Sequence, residues 1–185
     1  MSIDISETLE AMLNGKTSLV ARDLKLNLQR LMNDGALDKQ ESALALLALA
    51  TSVESQELVT SSKELLKHMD FTEEQISEAA ESSAIMAMLN LYYRAKHMLT
   101  AGNPENVETH YKAAGLRMTS LSKPLLGKER FEMLALAVSV VNGCESCINA
   151  HESVLREAKI EPAKIHDLIR MAAVVKGLKT LTTIK

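Results

Sequence analysis

The chain contains no tryptophan, only two phenylalanines and three tyrosines, and just three prolines and seven glycines among 185 residues. Without large rings the core must be aliphatic, built from Leu, Ala, Val, Ile and ten Met within an apolar fraction of 46%. Scarce Gly and Pro, and no convincing run of alternating apolar and polar residues, predict an all-α protein. Neither sign of charge dominates: 21 Lys and Arg stand against 24 Asp and Glu, a net −3. Binding to nucleic acid or to an anionic membrane surface is therefore not expected. No uncharged apolar run reaches the ~20 residues that span a bilayer. The N-terminal MSIDISETLE shows no basic stretch followed by an apolar one, so no signal peptide and a cytosolic, cytoplasmic location are expected. Only two cysteines are present, three residues apart. In a reducing compartment that spacing suits catalysis or metal binding better than a static staple.

The length fits one domain spanning residues 1–185. Helices are expected over Ser6–Leu13, closed by Asn14-Gly15, and over Ser18–Met32, stopped at Asn33-Asp34-Gly35. Asp38 with Glu41 opens a third helix, a fourth covers Gln56–His68, and Thr72 with Gln75 caps a long fifth helix reaching Thr100. Ala101-Gly102-Asn103-Pro104 breaks the chain, a helix follows near Glu105–Ala114, and a looser piece carries Pro124 and Gly127. Three more helices, Lys128–Val141, Cys144–Lys159 and Pro162–Leu178, precede a tail expected to fray. The two halves look alike: LLALATSV (46–53) matches MLALAVSV (133–140) at six of eight positions. The fold expected is a helical bundle of two similar repeats, a degenerate one over 36–101 and a catalytic one over 125–179. The segments after the match differ by two residues, so either of two registers is open. In these, Cys144 falls opposite Glu57 or Ser55, Cys147 opposite Thr60 or Leu58, His151 opposite Glu64 or Ser62, and Glu132 opposite Ala45 or Ala43. The first half thus keeps the frame without the chemistry. The segment 85–93, IMAMLNLYY, reads as core or subunit interface rather than a ligand groove.

The chemistry concentrates in NGCESCINAH, residues 142–151. Gly143 ends one helix, which places Cys144 at the N-terminus of the next and puts Cys144, Cys147 and His151 on one face. A helix start favours a thiolate, and a histidine one turn away can take the thiol proton. In the preceding helix Glu132 is nearly alone among apolar residues, about 15 Å before the turn. If the chain doubles back there, Glu132 lies level with His151 and can orient and polarise it, since a carboxylate on an apolar face needs a partner. Each residue also has a bland explanation: small core hydrophobes for the cysteines, a surface or capped histidine, a solvent-facing glutamate. Zinc would require four ligands, and although Glu132 could join the Cys144, Cys147 and His151 set, no second paired motif clamps a separate segment. No metal ligands are therefore assigned. A c-type haem site is excluded because Ile148, not histidine, follows Cys147, and the βαβ setting of a thioredoxin motif is missing. What remains open is a helical dithiol redox site, a dithiol–disulfide carrier or redox sensor, or a metal module.

Glu132, eleven residues, Cys144-Glu145-Ser146-Cys147, three residues and His151 resemble the signature of the alkylhydroperoxidase D family, part of the carboxymuconolactone decarboxylase-like superfamily. The likeness in length, helical pattern and degenerate first half covers nearly the whole chain. The resemblance implies an antioxidant peroxidase, commonly a trimer, that reduces hydroperoxides with no bound cofactor. Carried over, Cys147 attacks the peroxide, Cys144 resolves the sulfenic acid as a disulfide, and His151 with Glu132 relays the proton. It further implies electrons from a lipoylated acyltransferase served by dihydrolipoamide dehydrogenase, and a peroxiredoxin as a partner to be reduced. Well-known members carry histidine where this chain has Ser146, a departure bearing on thiol activation more than on reaction class. The decarboxylase branch lacks the redox dithiol, which sets decarboxylation aside.

Overall fold

Two helices are apolar nearly all round through their middle turns, and their burial organises the rest. In the computed structural model, which describes residues 3–105 and 110–184, these are α3 (Lys39–Ser52) and α6 (Lys128–Asn142). Every residue from Ser42 to Ala50 is buried, as is every residue from Met133 to Ser139. A helix that is apolar all round is stable only inside a core. Around the pair lie α1 (Ser6–Leu13), α2 (Leu19–Asp34), α4 (Gln56–Lys67), α5 (Glu73–Gly102), α7 (Glu145–Glu157) and α8 (Pro162–Thr182). Helix α3 touches α2, α4, α5, α6 and α8, and α6 touches α3, α5, α7 and α8. The described residues contain no strand, so the fold is all-α. None of their helices is long and apolar enough to cross a membrane.

The helix starts follow local side-chain chemistry. Asp38 accepts from the Glu41 N–H and Glu41 from the Asp38 N–H, both at 2.8 Å. Thr72 and Gln75 form the same reciprocal box at 3.0 and 3.3 Å. Each box satisfies donors that a helix start leaves without partners. Two expectations need correction. Of the helix expected near Glu105–Ala114, Pro104, Glu105 and His110 are helical, residues 106–109 lie outside the described part, and Tyr111–Ala114 are not helical, so the expected end is too late. The residues that reach the core beyond them are Leu116, Met118 and Leu121. Leu116 and Met118 lie in irregular chain that belongs to no helix. The tail does not fray at Leu178 but stays helical to Thr182. Leu181 packs on the core, and Lys179 Nζ donates to the Glu54 carbonyl at 2.9 Å. Lys16 Nζ, from the far end of the chain, donates to the Ile184 carbonyl at 2.8 Å. Local propensity cannot register such contacts.

A constant offset of 89 residues pairs the starts of three helices in each half: Lys39 with Lys128, Gln56 with Glu145, and Glu73 with Pro162. Backbone detail follows the same offset. Glu54 and Gly143 are both left-handed (φ 59° and 64°), as are Asp70 and Lys159 (63° and 60°). Ser55 and Cys144 cap their helices at φ −94°, ψ 99° and φ −97°, ψ 94°. The Ala/Leu match in the sequence suggested a different alignment, shifted by two. The hairpin geometry instead sets Cys144 opposite Ser55, Cys147 opposite Leu58, His151 opposite Ser62 and Glu132 opposite Ala43. Polar ties join the halves: Lys164 Nζ donates to both Glu41 carboxylate oxygens at 2.7 and 2.8 Å, and Arg130 Nη2 to Gln40 Oε1 at 2.7 Å. Buried Asp167, paired with Arg170, accepts from the Ala36 N–H at 2.6 Å and pins the α2–α3 turn.

Candidate active site

Helix α6 ends in a left-handed Gly143, a conformation that a Cβ would strain. The Gly143 N–H bonds to the Val140 carbonyl and the Cys144 N–H to the Ser139 carbonyl, both at 3.2 Å. This pair of bonds closes the helix in a Schellman arrangement. The very next residue, Cys144, is the N-cap of α7, which packs back along α6. The turn thus delivers a cysteine to a helix start, where unpaired N–H groups and the helix dipole favour a thiolate. Cys147 lies one turn on, and the two are joined by a disulfide with Cα atoms 5.3 Å apart. Cys144 is fully buried and Cys147 is 7% exposed. Between them, Ser146 lies with its Oγ 3.6 Å from Cys144 Sγ. A disulfide sulfur carries no hydrogen, so the hydroxyl is the donor.

His151 follows Cys147 on the same face, and the doubled-back chain brings it to Glu132: Nδ1 lies 2.7 Å from Glu132 Oε2. Both side chains are 19% exposed, so water screens the contact only in part. With the Nδ1 hydrogen donated to the carboxylate, the other ring nitrogen is left to exchange protons. Among the described residues no group of three or more His, Cys, Asp or Glu is arranged to hold a metal ion.

A cavity of about 330 Å³ connects these groups. Cys147, Ser146, His151 and Glu132 line it, whereas Cys144 does not. Its remaining wall is mostly apolar: Phe131 and Ala150, then Met86, Leu89, Asn90 and Tyr93 of α5, and Met118 and Leu121 of the segment that precedes α6. Three of the four site residues read from the sequence therefore face one space, with the fourth bonded behind it. The α5 wall is a correction to the reading of 85–93. Met86 and Leu89 are indeed core, at 1% and 5% exposure, but the same stripe continues as the cavity wall. Periodicity cannot tell a stripe facing a neighbour from one facing a void. The available signal was Asn90, a polar residue at stripe position. A larger groove of about 650 Å³ runs over α5 past Glu78, Ile85, Met88 and Leu125, but it holds neither thiol, nor His151, nor Glu132.

Comparison with known proteins gives a consistent picture. The profile of the carboxymuconolactone decarboxylase family matches residues 108–183. A protein of Anaeromyxobacter dehalogenans (strain 2CP-C) named alkyl hydroperoxide reductase AhpD is 39% identical over 157 residues, covering 84% of this chain and 80% of its own. Proteins of the same name from Mycolicibacterium smegmatis and from Bradyrhizobium sp. (strain BTAi1) are 37% and 35% identical, each over 158 residues. The alignments cover 85% of this chain in both cases, and 85% and 84% of those relatives.

Proposed function

The chain belongs to the alkyl hydroperoxide reductase AhpD family, and on that premise we propose that it is an antioxidant thiol peroxidase reducing organic hydroperoxides through a Cys144/Cys147 dithiol–disulfide cycle. One observation carries this reading: Cys147, and not Cys144, lines a largely apolar cavity that also holds His151 bonded to Glu132. In the reduced protein the Cys147 thiol passes its proton to His151, whose cation Glu132 stabilises. The thiolate attacks the outer peroxide oxygen, the O–O bond breaks, and the departing alkoxide takes the proton from His151 as an alcohol. Cys147 is left as a sulfenic acid. Cys144 then attacks that sulfur, an S–S bond replaces the S–O bond, and the hydroxyl leaves with the Cys144 proton as water. An external dithiol restores both thiols by exchange.

The apolar wall favours an organic peroxide over hydrogen peroxide, which gains nothing from leaving water for such a surface. For the reductant we propose a lipoyl dithiol on an acyltransferase, with a peroxiredoxin as a further partner and the protein acting as a cytoplasmic homotrimer without a bound cofactor. Residues 125–179 serve as the catalytic repeat and 36–101 as its degenerate copy, a division supported by the shared offset of their helix starts. The test is stopped-flow mixing of reduced protein with cumene hydroperoxide, followed by thiol counting. Wild type should lose two thiols per peroxide consumed. C147S should consume none, and C144S should consume one equivalent and stop at the sulfenic acid. Substantial turnover by C147S refutes the role given to Cys147. Fast exchange with dihydrolipoamide without peroxide consumption points instead to a dithiol carrier.

A further inference from the structure

Behind the dithiol lies a buried polar chain that the peroxidase chemistry does not use. Asn90, 1% exposed on α5, donates from Nδ2 to Ser139 Oγ at 2.9 Å and accepts from Asn142 Nδ2 at 2.9 Å. One turn further along α5, Arg94 Nη1 donates to the Asn142 carbonyl at 2.6 Å. Ser139 is itself fully buried, and its carbonyl receives the Cys144 N–H. The side chain of Ser139 is therefore held by α5 while its main chain holds the first cysteine.

The other half of the molecule shows what this hairpin needs in order to fold. At the 89-residue offset Ser139, Asn142 and Gly143 correspond to Ala50, Val53 and Glu54. The turn there has the same dihedral angles, yet neither Ala50 nor Val53 can make a side-chain hydrogen bond. Each turn is tied to the other half's long helix, but at different points: Lys179 Nζ, standing at the position of Asn90, donates to the Glu54 carbonyl, the counterpart of Gly143, whereas Arg94 donates to the Asn142 carbonyl. The buried side-chain links from Asn90 to Ser139 and Asn142 are confined to the dithiol half. Buried amides and hydroxyls are costly unless satisfied, and once satisfied they select a single arrangement.

We infer that Asn90 is a positioning residue for the redox pair: through Ser139 and Asn142 it fixes the 142–144 turn so that Cys144 Sγ stays within closing distance of Cys147 Sγ when the disulfide is open. Asn90 acts through the turn and not on the reacting sulfurs. The inference rests on the dithiol–disulfide cycle proposed above, because holding the open form matters only if the bond opens and closes.

The test is a redox equilibrium. Full-length protein is equilibrated across ratios of reduced to oxidised dithiothreitol, free thiols are alkylated, and the two forms are quantified by mass. N90A should lower the equilibrium constant for disulfide formation about tenfold, the scale expected on losing a buried donor–acceptor pair. For a two-electron couple this is about 30 mV towards a more oxidising potential. S139A, which removes one link, should move it about threefold the same way. K179M, which removes the cation that ties the other turn, should leave it unchanged. Equilibria within twofold of wild type for both N90A and S139A overturn the inference, as does an equal shift in K179M. If N90A does not fold, S139A decides. No hydroperoxide enters the measurement, so a protein inert towards peroxide counts against the peroxidase reading alone, and an unmoved equilibrium against the positioning role alone.

Discussion

Replacing Glu132 by glutamine preserves the shape of the side chain and a hydrogen bond to His151 Nδ1 while deleting the negative charge. The 2.7 Å contact is short, as expected for a bond to an ionised partner. Such a bond contributes about 1.5–3 kcal/mol, against roughly 1 kcal/mol for its neutral counterpart. With each side chain about one-fifth exposed, screening takes part of the difference, leaving roughly 0.5–1.5 kcal/mol of lost stabilisation of the histidine cation. Applied to the step in which His151 holds the thiol proton, that loss slows peroxide reduction by about 2- to 13-fold. H151F removes the proton acceptor itself and should cost roughly 10²–10⁴-fold. The decisive measurement is a double-mutant cycle on single-turnover rates with cumene hydroperoxide, using E132Q, H151F and the pair. If Glu132 acts only through His151, the double variant is no slower than H151F within about twofold. A double variant slowed relative to H151F by the full factor that E132Q shows alone refutes the relay. So does an E132Q protein with the wild-type rate.

Two further expectations concern the frame. The Lys164 ammonium joins α8 to the capping box of α3, and its hydrogen bond to Glu41, aided by neighbouring carboxylates, raises its pKa above the ordinary 10.5. A raised pKa means that stability is fully present below 10.5 and lost as pH climbs through the higher folded-state value. K164M should therefore unfold roughly 0.5–1 kcal/mol more easily in urea at pH 7, with the gap to wild type narrowing above pH 10.5; a gap that widens there refutes the pairing. The variant S55C/L58C places thiols where Ser55 shares the backbone of Cys144. Thiol titration after mild oxidation should show a second disulfide, at a stability cost of roughly 2 kcal/mol for trimming buried Leu58. It should gain no peroxide turnover, because Ser62 and Ala43 occupy the places of His151 and Glu132. Two persistently free thiols at 55 and 58 refute the equivalence of the turns.

Local chemistry made much of the fold readable. Helix starts at Asp38 and Thr72 are written in side chains that satisfy nearby N–H groups, the start at Pro162 in a residue that has no N–H to satisfy, and the Asn142-Gly143 stop in a residue that tolerates a left-handed backbone. The Glu132–His151 contact was readable for a related reason, since a two-residue turn leaves the following helix little choice but to run back along its predecessor. Long-range packing was not readable. Nothing near Tyr111 shows that Leu116 and Met118 are drawn down onto the core, and nothing near Leu178 shows that Lys179 finds a carbonyl at Glu54. The repeat register stayed open between two alignments for a compositional reason. Alanine and leucine recur so densely in α3 and α6 that a shift of two positions still matches, and only the backbone of the turns distinguishes the alternatives.

That register changes what the first half of the chain is for. Compared position by position, it lacks every group of the redox site and looks like a scaffold. Its third helix, however, does not stay with its own hairpin alone: α5 packs against α6 and α7 as well as α3 and α4, and α8 packs against α3 as well as α6 and α7. Each half thus shares its long helix with the other. Through α5 the first half supplies Met86, Leu89, Asn90 and Tyr93 to the cavity wall, and the Arg94 bond that holds the turn before Cys144. The second half alone would keep both thiols, the histidine and the glutamate, yet would lose one side of the space in which a peroxide meets them. Its α6, buried against α3 on one side and α5 on another, would expose apolar surface along most of its length, and a helix apolar all round has no stable place in water. The first half is therefore indispensable although it carries no group of the redox pair or its relay: residues of its long helix form part of the other half's site.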